Sequence, residues 1–337
     1  MPQCIYCRAS DPSVQFTREH VLQQGFGQFQ NAPVLHDLVC HECNQSFSGT
    51  LDLSLTRESA EGLERYHWGV KEPADIAKFS FKSMDLRAQD LGEFTGARVE
   101  LIAHDGSVRA RPADGAAIHD LEGDDFTHFT IAEIVSGAWA QSPVDWKRGL
   151  KLFGNDETTL MLREALERQG VVLKSWRPLS LPDPSGSIEV GQTFSITSSM
   201  KRGIAKVAFN YLAFRRGGDF VRSESFDSIR QYIRYGAEPE LEPIHSSFEL
   251  PFRTNQPDNV KPVLHWLGLQ AHENHRNLLG TVMLFGFMEH TVMLAQDFRG
   301  PWFDMPLAHL YNLKTKKASE VQPTMPRWKH SDDSAIG

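Results

Sequence analysis

The sequence predicts an α+β protein, with a small N-terminal module of two strands and a helix followed by a larger mixed α/β region. All four cysteines of the 337-residue chain fall within the first 43 residues, which indicates a compact module at this end. Beyond it, segments with the two-residue period of a strand are mixed with segments that have the 3.6-residue period of a helix.

Composition and charge restrict the class of protein. Hydrophobic residues make up 40% of the chain and charged residues 23%, which is ordinary for a globular protein. No apolar run reaches the roughly 18 residues of a membrane helix, and the start "MPQCIYCRAS" lacks the pattern of a secretory signal. We therefore expect a cytoplasmic protein. The net charge of −8 argues against a uniformly positive surface that would bind polyanions without discrimination. A local basic face is nevertheless enough to bind nucleic acid.

The cysteines form two C-x-x-C pairs, Cys4 with Cys7 and Cys40 with Cys43, separated by 32 residues. In a reducing compartment such pairs are better explained as metal ligands than as disulfides. Four thiolates close a tetrahedral zinc site with no open position, which is typical of structural zinc. Simple burial and a redox pair are the alternatives.

The residues between the two pairs predict the rest of the module. "FTREHVLQQGFG" predicts a strand over residues 16–22 and then a turn at Gly25 and Gly27. "APVLHDLVC" predicts the returning strand, and "NQSFSGTLDLSL" predicts a helix directly after the last cysteine. Zinc would then hold the base of two strands and a helix.

Three polar residues of this module suit phosphodiester hydrolysis. Glu19 and His20 are neighbours in the first strand and so point to opposite faces, while Asn44 begins the predicted helix. Carboxylate and amide oxygens suit magnesium or manganese, and a neutral imidazole can take a proton from water. The set favours hydrolysis assisted by a single metal ion. Asn44 could also act as a helix N-cap.

The segments "CIYC", "EHV", "GFG" and "VCHECN", in this order, resemble the HNH endonuclease superfamily in its zinc-stapled ββα-metal form. The resemblance covers about residues 1–60. It implies that His20 is the general base and that Glu19 and Asn44 hold a catalytic magnesium or manganese ion.

The chain departs from the pattern of that family at several positions. Gln23 stands where proline is common, and Asn44 stands where many members have histidine. The middle asparagine, which in the family orients the loop shortly before the third cysteine, has no obvious counterpart. His36 or Asp37 lies in that neighbourhood, and the resemblance makes them the candidates for this role. These departures affect the detailed roles more than the resemblance itself.

We expect four parts: the module at 1–70, a mixed region at 71–195, a second mixed region at 196–320 and a flexible tail at 321–337. The second mixed region could form one domain with the first. In the first region, "ARVELIAHDGSVRARP" predicts a β-hairpin, "DETTLMLREALERQG" a helix, and "LPDPSGS" a linker.

The second mixed region begins with two predicted helices. "MKRGIAKVAFNYLAFRRGG" predicts a long helix, and "FDSIRQYIRYG" predicts a shorter one closed by Gly236. "VLHWLGLQAH" and "LLGTVMLFGFMEHTVMLAQDF" predict strands on either side of a break at "HENHRN". The buried face of the long helix is expected to consist of Ile204, Val207, Ala208, Tyr211 and Leu212.

Residues 201–235 carry eight basic side chains against three acidic ones, in a chain that is acidic overall. Tyrosine and phenylalanine residues are interleaved, so this stretch could contact phosphates and stack on bases. A solvated basic face of an amphipathic helix is the alternative. The predicted nucleic-acid contacts are Lys201, Arg202, Lys206, Arg215 and Arg216.

These observations predict a metal-dependent endonuclease with structural zinc and a catalytic magnesium or manganese ion. DNA is the expected substrate because the family mostly cuts DNA, although the sequence does not itself separate DNA from RNA. A role in defence against foreign DNA is an expectation by analogy. The alternative is a zinc-stapled module that binds nucleic acid without cutting it.

Overall fold

A computed structural model describes residues 2–173, 186, 188–238, 242–248, 264–272, 276–299 and 307–321. Its mixture of helices and strands confirms the α+β class. The chain divides into two compact units, one made of Met1–Val70 with Ile196–Gly337 and the other of Lys71–Ser195. Both ends of the chain thus share a unit, which the sequence did not indicate.

Some predicted segments fall largely outside the described residues: the linker at 181–187, the break at "HENHRN" and the tail at 321–337. Within the described residues, none of the helices combines the length and the hydropathy that crossing a bilayer requires.

The N-terminal module contains the predicted strand–strand–helix unit. The two strands pair antiparallel, with Phe16 opposite Cys40 and an irregularity between Thr17 and Glu19. The first helix follows the second strand without a loop, so that Cys40 is its N-cap and Asn44 lies inside it. The elements are β1 (Phe16–His20), β2 (Val34–Cys40), α1 (His41–Gly49), α2 (Leu51–Arg57) and α3 (Ala60–His67).

Where the structure describes it, the unit at Lys71–Ser195 combines short antiparallel sheets with two α-helices. In its described part, a three-stranded sheet has the order β7-β6-β8, while β3 pairs with β9 and β4 with β5. The elements are β3 (Met84–Gln89), β4 (Val99–His104), β5 (Ser107–Pro112), β6 (Gly115–His119), β7 (Phe126–Thr130), α4 (Ile131–Ser136), β8 (Leu150–Phe153), α5 (Asp156–Arg168) and β9 (Glu189–Phe194).

Two local predictions are confirmed in this unit. The β4–β5 hairpin turns at Asp105 and Gly106, whose φ angles of 46° and 70° suit a tight hairpin turn. Helix α5 begins after Asn155, whose side chain accepts a hydrogen bond from the Thr158 amide (2.8 Å).

The C-terminal region of the other unit packs helices on an antiparallel sheet. Among the described residues this sheet has six strands in the order β10-β13-β12-β11-β14-β15. The elements are α6 (Ser198–Arg216), α7 (Gly218–Val221), α8 (Asp227–Tyr235), β10 (Ile244–Ser247), β11 (Leu264–His272), β12 (Asn277–Leu284), β13 (Met288–Ala295), β14 (Leu307–Asn312) and β15 (Lys317–Val321).

Helix α6 is the centre of this unit. The predicted apolar face is buried, but burial extends around the helix, to every residue from Gly203 to Ala213. One side of α6 packs on α2 and another on β11, β12 and β13. Gly203 and Gly280 allow these close approaches, because a Cβ at either position would lie 3.1 Å or less from a neighbouring atom. The helix is therefore a core element rather than a surface helix.

The turn after β1 is anchored to the sheet by a buried histidine. His265 on β11 donates from Nε2 to the Phe26 carbonyl (3.1 Å) and accepts the Phe285 amide at Nδ1 (3.0 Å). Burial lowers the pKa of His265 to about 3, so the imidazole is neutral and can serve as both donor and acceptor.

The loop that follows this turn is attached to the edge of the sheet. The Gln30 amide donates to the Lys316 carbonyl (2.8 Å), and the Ala318 amide donates to the Gln30 carbonyl (2.8 Å). These bonds make a parallel bridge between Gln30 and β15. The N-terminal module is thus joined to the sheet at two places along one loop.

Gly203→Val is expected to lower the free energy of unfolding by about 1–3 kcal/mol through overpacking. The reason is that an ideal Cβ at residue 203 lies 3.1 Å from the Leu51 carbonyl oxygen of α2. Urea unfolding followed by circular dichroism measures the change. Gly49→Ala is the control, since its Cβ meets nothing within 4 Å. Equal losses in the two variants would contradict the tight contact of α6 with α2.

Candidate active site and metal centre

The four cysteines converge at the base of the N-terminal module. Cys4 and Cys7 lie in the first turn of the chain, Cys40 ends β2, and Cys43 is in the first turn of α1. Their Sγ atoms all lie within 4.8 Å of one another, and those of Cys7 and Cys40 are 3.6 Å apart. Cys4, Cys40 and Cys43 are buried, and all four are free thiols.

This geometry fits a structural zinc ion. With Zn–S bonds of about 2.3 Å, four tetrahedral sulfurs lie roughly 3.8 Å apart, which agrees with the compact cluster. Cys43 donates a hydrogen bond that lowers the pKa of Cys4 to about 4, so that one thiol of the cluster readily reaches the thiolate form that binds metal. The cluster supports the predicted zinc site.

Helix α8 adds a cation beside the cluster. Arg234 donates to Ser46 Oγ (3.1 Å) and to Glu42 Oε1 (2.9 Å), both on α1. Burial alone would lower the pKa of Arg234, but Cys43 and Glu42 outweigh it and raise the pKa. The guanidinium therefore compensates negative charge at the sulfurs and connects α8 to the helix that carries Cys43.

His20 ends β1 with its side chain partly exposed. Within the described residues its imidazole makes no hydrogen bond. Partial burial and the positive charge of Arg18 lower the pKa of His20, and the Glu19 carboxylate opposes them only in part. The imidazole is therefore neutral at pH 7 and able to accept a proton from a molecule that reaches it.

Glu19 points the other way, into the unit core, and is only 5% exposed. Its Oε1 lies 2.7 Å from the Nζ of Lys206 and accepts a hydrogen bond from Asn210 Nδ2 (3.1 Å). Lys206 and Asn210 are one turn apart on α6. The carboxylate predicted to hold a catalytic ion is thus bound by two side chains from a distant segment of the chain.

Further polar residues complete this buried network. Lys206 also donates to both oxygens of Asp52 on α2 (2.7 and 2.9 Å). Gln23 Nε2 donates to Asp52 Oδ1 (2.9 Å), and the Tyr6 hydroxyl donates to Asn210 Oδ1 (2.6 Å). Together these bonds connect the start of the chain, β1, α2 and α6.

Asn44 makes a different set of contacts. It is the fourth residue of α1, so the alternative role of N-cap is wrong because Cys40 occupies that position. Its Nδ2 donates to Thr17 Oγ1 (2.8 Å) and to the Arg18 carbonyl (3.3 Å). These bonds hold α1 against β1 where the strand pairing is irregular.

As placed here, Glu19 and Asn44 do not fit an open site for a divalent ion. Within the described residues, the four cysteines are the sole cluster of three or more His, Cys, Asp or Glu side chains arranged to hold a metal. The Glu19 carboxylate already has the Lys206 ammonium as its cation. The ligand role of Glu19 and Asn44 therefore stays a prediction.

His36 and Asp37 were the candidates for replacing the missing middle asparagine. Both side chains are exposed on β2, and Asp37 has a left-handed backbone with φ of 55°. Asparagine and aspartate tolerate this conformation better than most residues. Their role in orienting the loop stays a prediction.

The prediction that Lys206 contacts nucleic acid is wrong, because its side chain is 1% exposed and its ammonium is ion-paired inside the core. For the other four basic residues nucleic-acid binding stays a prediction, and each has an intramolecular partner. These contacts join Lys201 to Glu242 (2.8 Å), Arg202 to the Ile233 carbonyl (3.0 Å), Arg215 to Glu320 (2.6 Å) and Arg216 to the Phe220 ring (4.9 Å).

Sequence reasoning missed Asp52, Asn210 and Tyr6 as members of the network around Glu19. One signal was present: in "GIAKVAFNYLAF", Lys206 and Asn210 are four residues apart within an otherwise apolar run. Polar residues on a buried helix face need partners. No feature of the sequence indicated that those partners lie within the first 52 residues.

A second buried polar chain was also missed. His290 on β13 bonds to Glu61 of α3 through Nε2 (2.6 Å) and to Ser246 of β10 through Nδ1 (2.8 Å). Burial alone would raise the pKa of Glu61, but the contact with His290 outweighs it and the pKa is lowered. These hydrogen bonds join α3 to β10, the edge strand of the described sheet.

The comparison with known families agrees with the geometry of the module. Residues 4–60 match the model of the HNH endonuclease family. This stretch contains the four cysteines, the Glu19–His20 pair, Asn44 and Asp52. No curated protein and no solved structure matches the chain. The match and the cysteine cluster confirm the predicted resemblance, and they indicate a nuclease or nucleic-acid-binding role for the module.

Cys40→Ser is expected to reduce the zinc content from about one ion per chain to nearly none and to lower the unfolding temperature markedly. A structural zinc ion contributes about 10–16 kcal/mol to folding in small peptides, and Cys40 joins β2 to α1 at the cluster. Metal analysis and thermal unfolding of the purified full chain measure both effects. His41→Ala, an exposed neighbour, is the control. A Cys40→Ser protein with unchanged zinc content and stability contradicts the site.

Proposed function

We propose that the protein is an HNH-type endonuclease that hydrolyses phosphodiester bonds of nucleic acid, with His20 as general base and DNA as substrate. The observation that carries the proposal is the family match over residues 4–60, together with a partly exposed, neutral histidine at the end of β1. The zinc site and α6 stabilise the N-terminal module that carries this histidine.

The chemistry assigned to His20 is proton transfer. Its neutral imidazole takes a proton from a water molecule, and the hydroxide formed attacks phosphorus while the P–O bond to the leaving oxygen breaks. The lowered pKa keeps the base unprotonated at neutral pH. Among the described residues the imidazole has no hydrogen-bond partner, so no internal contact competes with water or substrate for its ring nitrogens.

A catalytic magnesium or manganese ion held by Glu19 and Asn44 is part of the proposal through the family resemblance alone. In such a site the ion stabilises charge on the phosphate oxygens. In this structure the Glu19 carboxylate is paired with the Lys206 ammonium.

A second candidate function is binding of nucleic acid without cleavage. The Glu19–Lys206–Asp52 network favours it, since it uses the acidic residue of the Glu19–His20 pair for an internal ion pair. The predicted nucleic-acid contacts of the partly exposed basic residues of α6, and a role in defence against foreign DNA, are compatible with either function. Cleavage measurements separate the two.

His20→Ala is expected to reduce the rate of plasmid nicking by 10²–10⁴-fold, the usual contribution of a general base. The assay uses the zinc-loaded full chain with Mg²⁺ or Mn²⁺ and supercoiled DNA, resolved on agarose gels. His41→Ala, an exposed histidine of the same module with no assigned role in the site, is the control and should retain its activity. Equal rates for wild type and His20→Ala contradict the proposed base, and binding without any cleavage favours the second function.

The pH profile of cleavage tests the same residue. Because the active form is the neutral imidazole and the pKa of His20 is lowered, kcat/KM is expected to rise with pH and to reach half its plateau below pH 6.5. Arg18→Gln removes a charge that lowers this pKa, so the midpoint should move to higher pH. A midpoint that does not respond to Arg18→Gln, or that lies well above 6.5, speaks against His20.

A further inference from the structure

A cavity of about 390 Å³ lies beside helix α8, in the unit that both ends of the chain build. Along one face of this helix it is lined by Ser228, Ile229 and Tyr232, since residues three and four positions apart in a helix are neighbours. Met293 and Leu294 of β13 line the other side. These residues belong neither to the cysteine cluster nor to the site proposed for cleavage. The cavity is therefore a separate site, of the size that small molecules occupy.

The floor of the cavity is apolar. Ile229, Leu294 and Ala295 are buried, and the buried Pro243 adds to the same surface. Met293 is partly exposed, and its unbranched thioether side chain adapts easily to the shape of a ligand. Apolar surface of this kind gains free energy when the carbon atoms of a ligand cover it. The cavity therefore favours a ligand with aliphatic carbon over a fully hydrated inorganic ion.

The mouth of the cavity is acidic at both ends of α8. Glu224 lies in the turn before the helix, and Glu238 lies just beyond its C-cap, Gly236. Both carboxylates are exposed and belong to the cavity lining. Within the described residues neither makes an ion pair or a side-chain hydrogen bond. Negative charge without a basic partner therefore lies at the cavity on each end of the helix.

The third carboxylate of the lining, Glu242, already has a partner, because Lys201 donates to it (2.8 Å). Arg202, the next residue of α6, donates to the carbonyls of Ile233 (3.0 Å) and Arg234 (3.3 Å) at the end of α8. Neither basic side chain is part of the described lining. These two cations thus have their own partners, and the remaining negative charge is available to an external cation.

Tyr232 gives a second, independent indication of a ligand. It lines the cavity and is only 6% exposed, yet its hydroxyl makes no hydrogen bond within the described residues. Because this oxygen is also not sealed inside the protein, it opens to the cavity. Burial and the nearby Glu242 carboxylate outweigh the charge of Arg202 and raise the pKa of Tyr232 to about 12, so the hydroxyl is neutral. Its oxygen can accept a hydrogen bond from an ammonium group.

We propose that this cavity binds a linear aliphatic polyamine, whose ammonium groups contact Glu224 and Glu238 and whose methylene chain covers Ile229 and Leu294. Separated charges on an apolar chain match carboxylates that flank the two ends of α8, a helix about 13 Å long. A compact inorganic cation would leave the apolar floor uncovered. Polyamine binding does not depend on the endonuclease proposal, since it uses none of the residues assigned to cleavage.

Calorimetric titration of the zinc-loaded full chain with spermidine, at low ionic strength and without nucleic acid, tests the site. Saturable binding of a single spermidine per chain is expected. Hexaamminecobalt(III) is the matched ligand control, because it carries the same charge as spermidine without a carbon chain. It is expected to bind more weakly by a factor of about ten or more. Equal affinities for the two cations would mean that acidic surface alone attracts them, and would overturn the proposal.

Glu224→Gln/Glu238→Gln is expected to weaken spermidine binding by a factor of about ten or more, because charge-assisted hydrogen bonds at both ends are lost. The control is Glu157→Gln/Glu164→Gln on α5, which removes the same charge from exposed positions of the other unit. Its affinity should stay near that of wild type. An equal loss in the two double variants contradicts the site, since binding would then follow net charge alone.

Two kinds of variant probe the interior of the cavity. Tyr232→Phe keeps the ring and removes the hydroxyl, so the affinity should fall by a factor of about three to ten. Met293→Lys places a covalent ammonium in the cavity and is expected to abolish binding. Ser228→Lys has the same purpose at an exposed position of the lining, where unfolding is not expected. Circular dichroism identifies the variants that are folded. Wild-type affinity in Tyr232→Phe, or in a folded lysine variant, refutes the cavity as the binding site.

Discussion

The ammonium of Lys206 lies in the interior of the unit that both ends of the chain build, and its two carboxylate partners come from the N-terminal module. A buried charge is tolerated only when it is paired and hydrogen-bonded. Helix α6 can therefore take its central position only if β1 and α2 are folded against it. The same contact decides where Glu19 points and leaves His20 on the opposite face of the strand.

Zinc and α6 stabilise the module in complementary ways. The cysteines join segments within the first 43 residues, where the apolar core is small. Helix α6 and the sheet supply the apolar surface that the module itself lacks, and the buried residues of both ends form one continuous cluster. Arg234 links α8 to α1 beside the cysteine cluster, and His265 links β11 to the turn after β1.

The features that the sequence predicted correctly depend on neighbouring residues. The β4–β5 hairpin, the helices α5 and α8, and the paired cysteines are all encoded within a few positions. The features that it missed depend on segments far apart. Periodicity indicated one apolar face of α6, but it could not show that the remaining faces are covered by α2 and the sheet. For the same reason Lys206 was counted as a surface charge, although its partners lie more than 150 positions away.

The backbone bridge between Gln30 and β15 has a consequence for the solubility of the chain. β15 is the last strand of the described sheet, and an unpaired strand edge is a template for association with another molecule. The loop of the N-terminal module occupies part of that edge, through amide and carbonyl groups that any residue could provide. The module thus also protects the sheet against self-association. A shortened chain without it would expose both this edge and the apolar surface of α6, and its expected fate is aggregation rather than a folded, inactive protein.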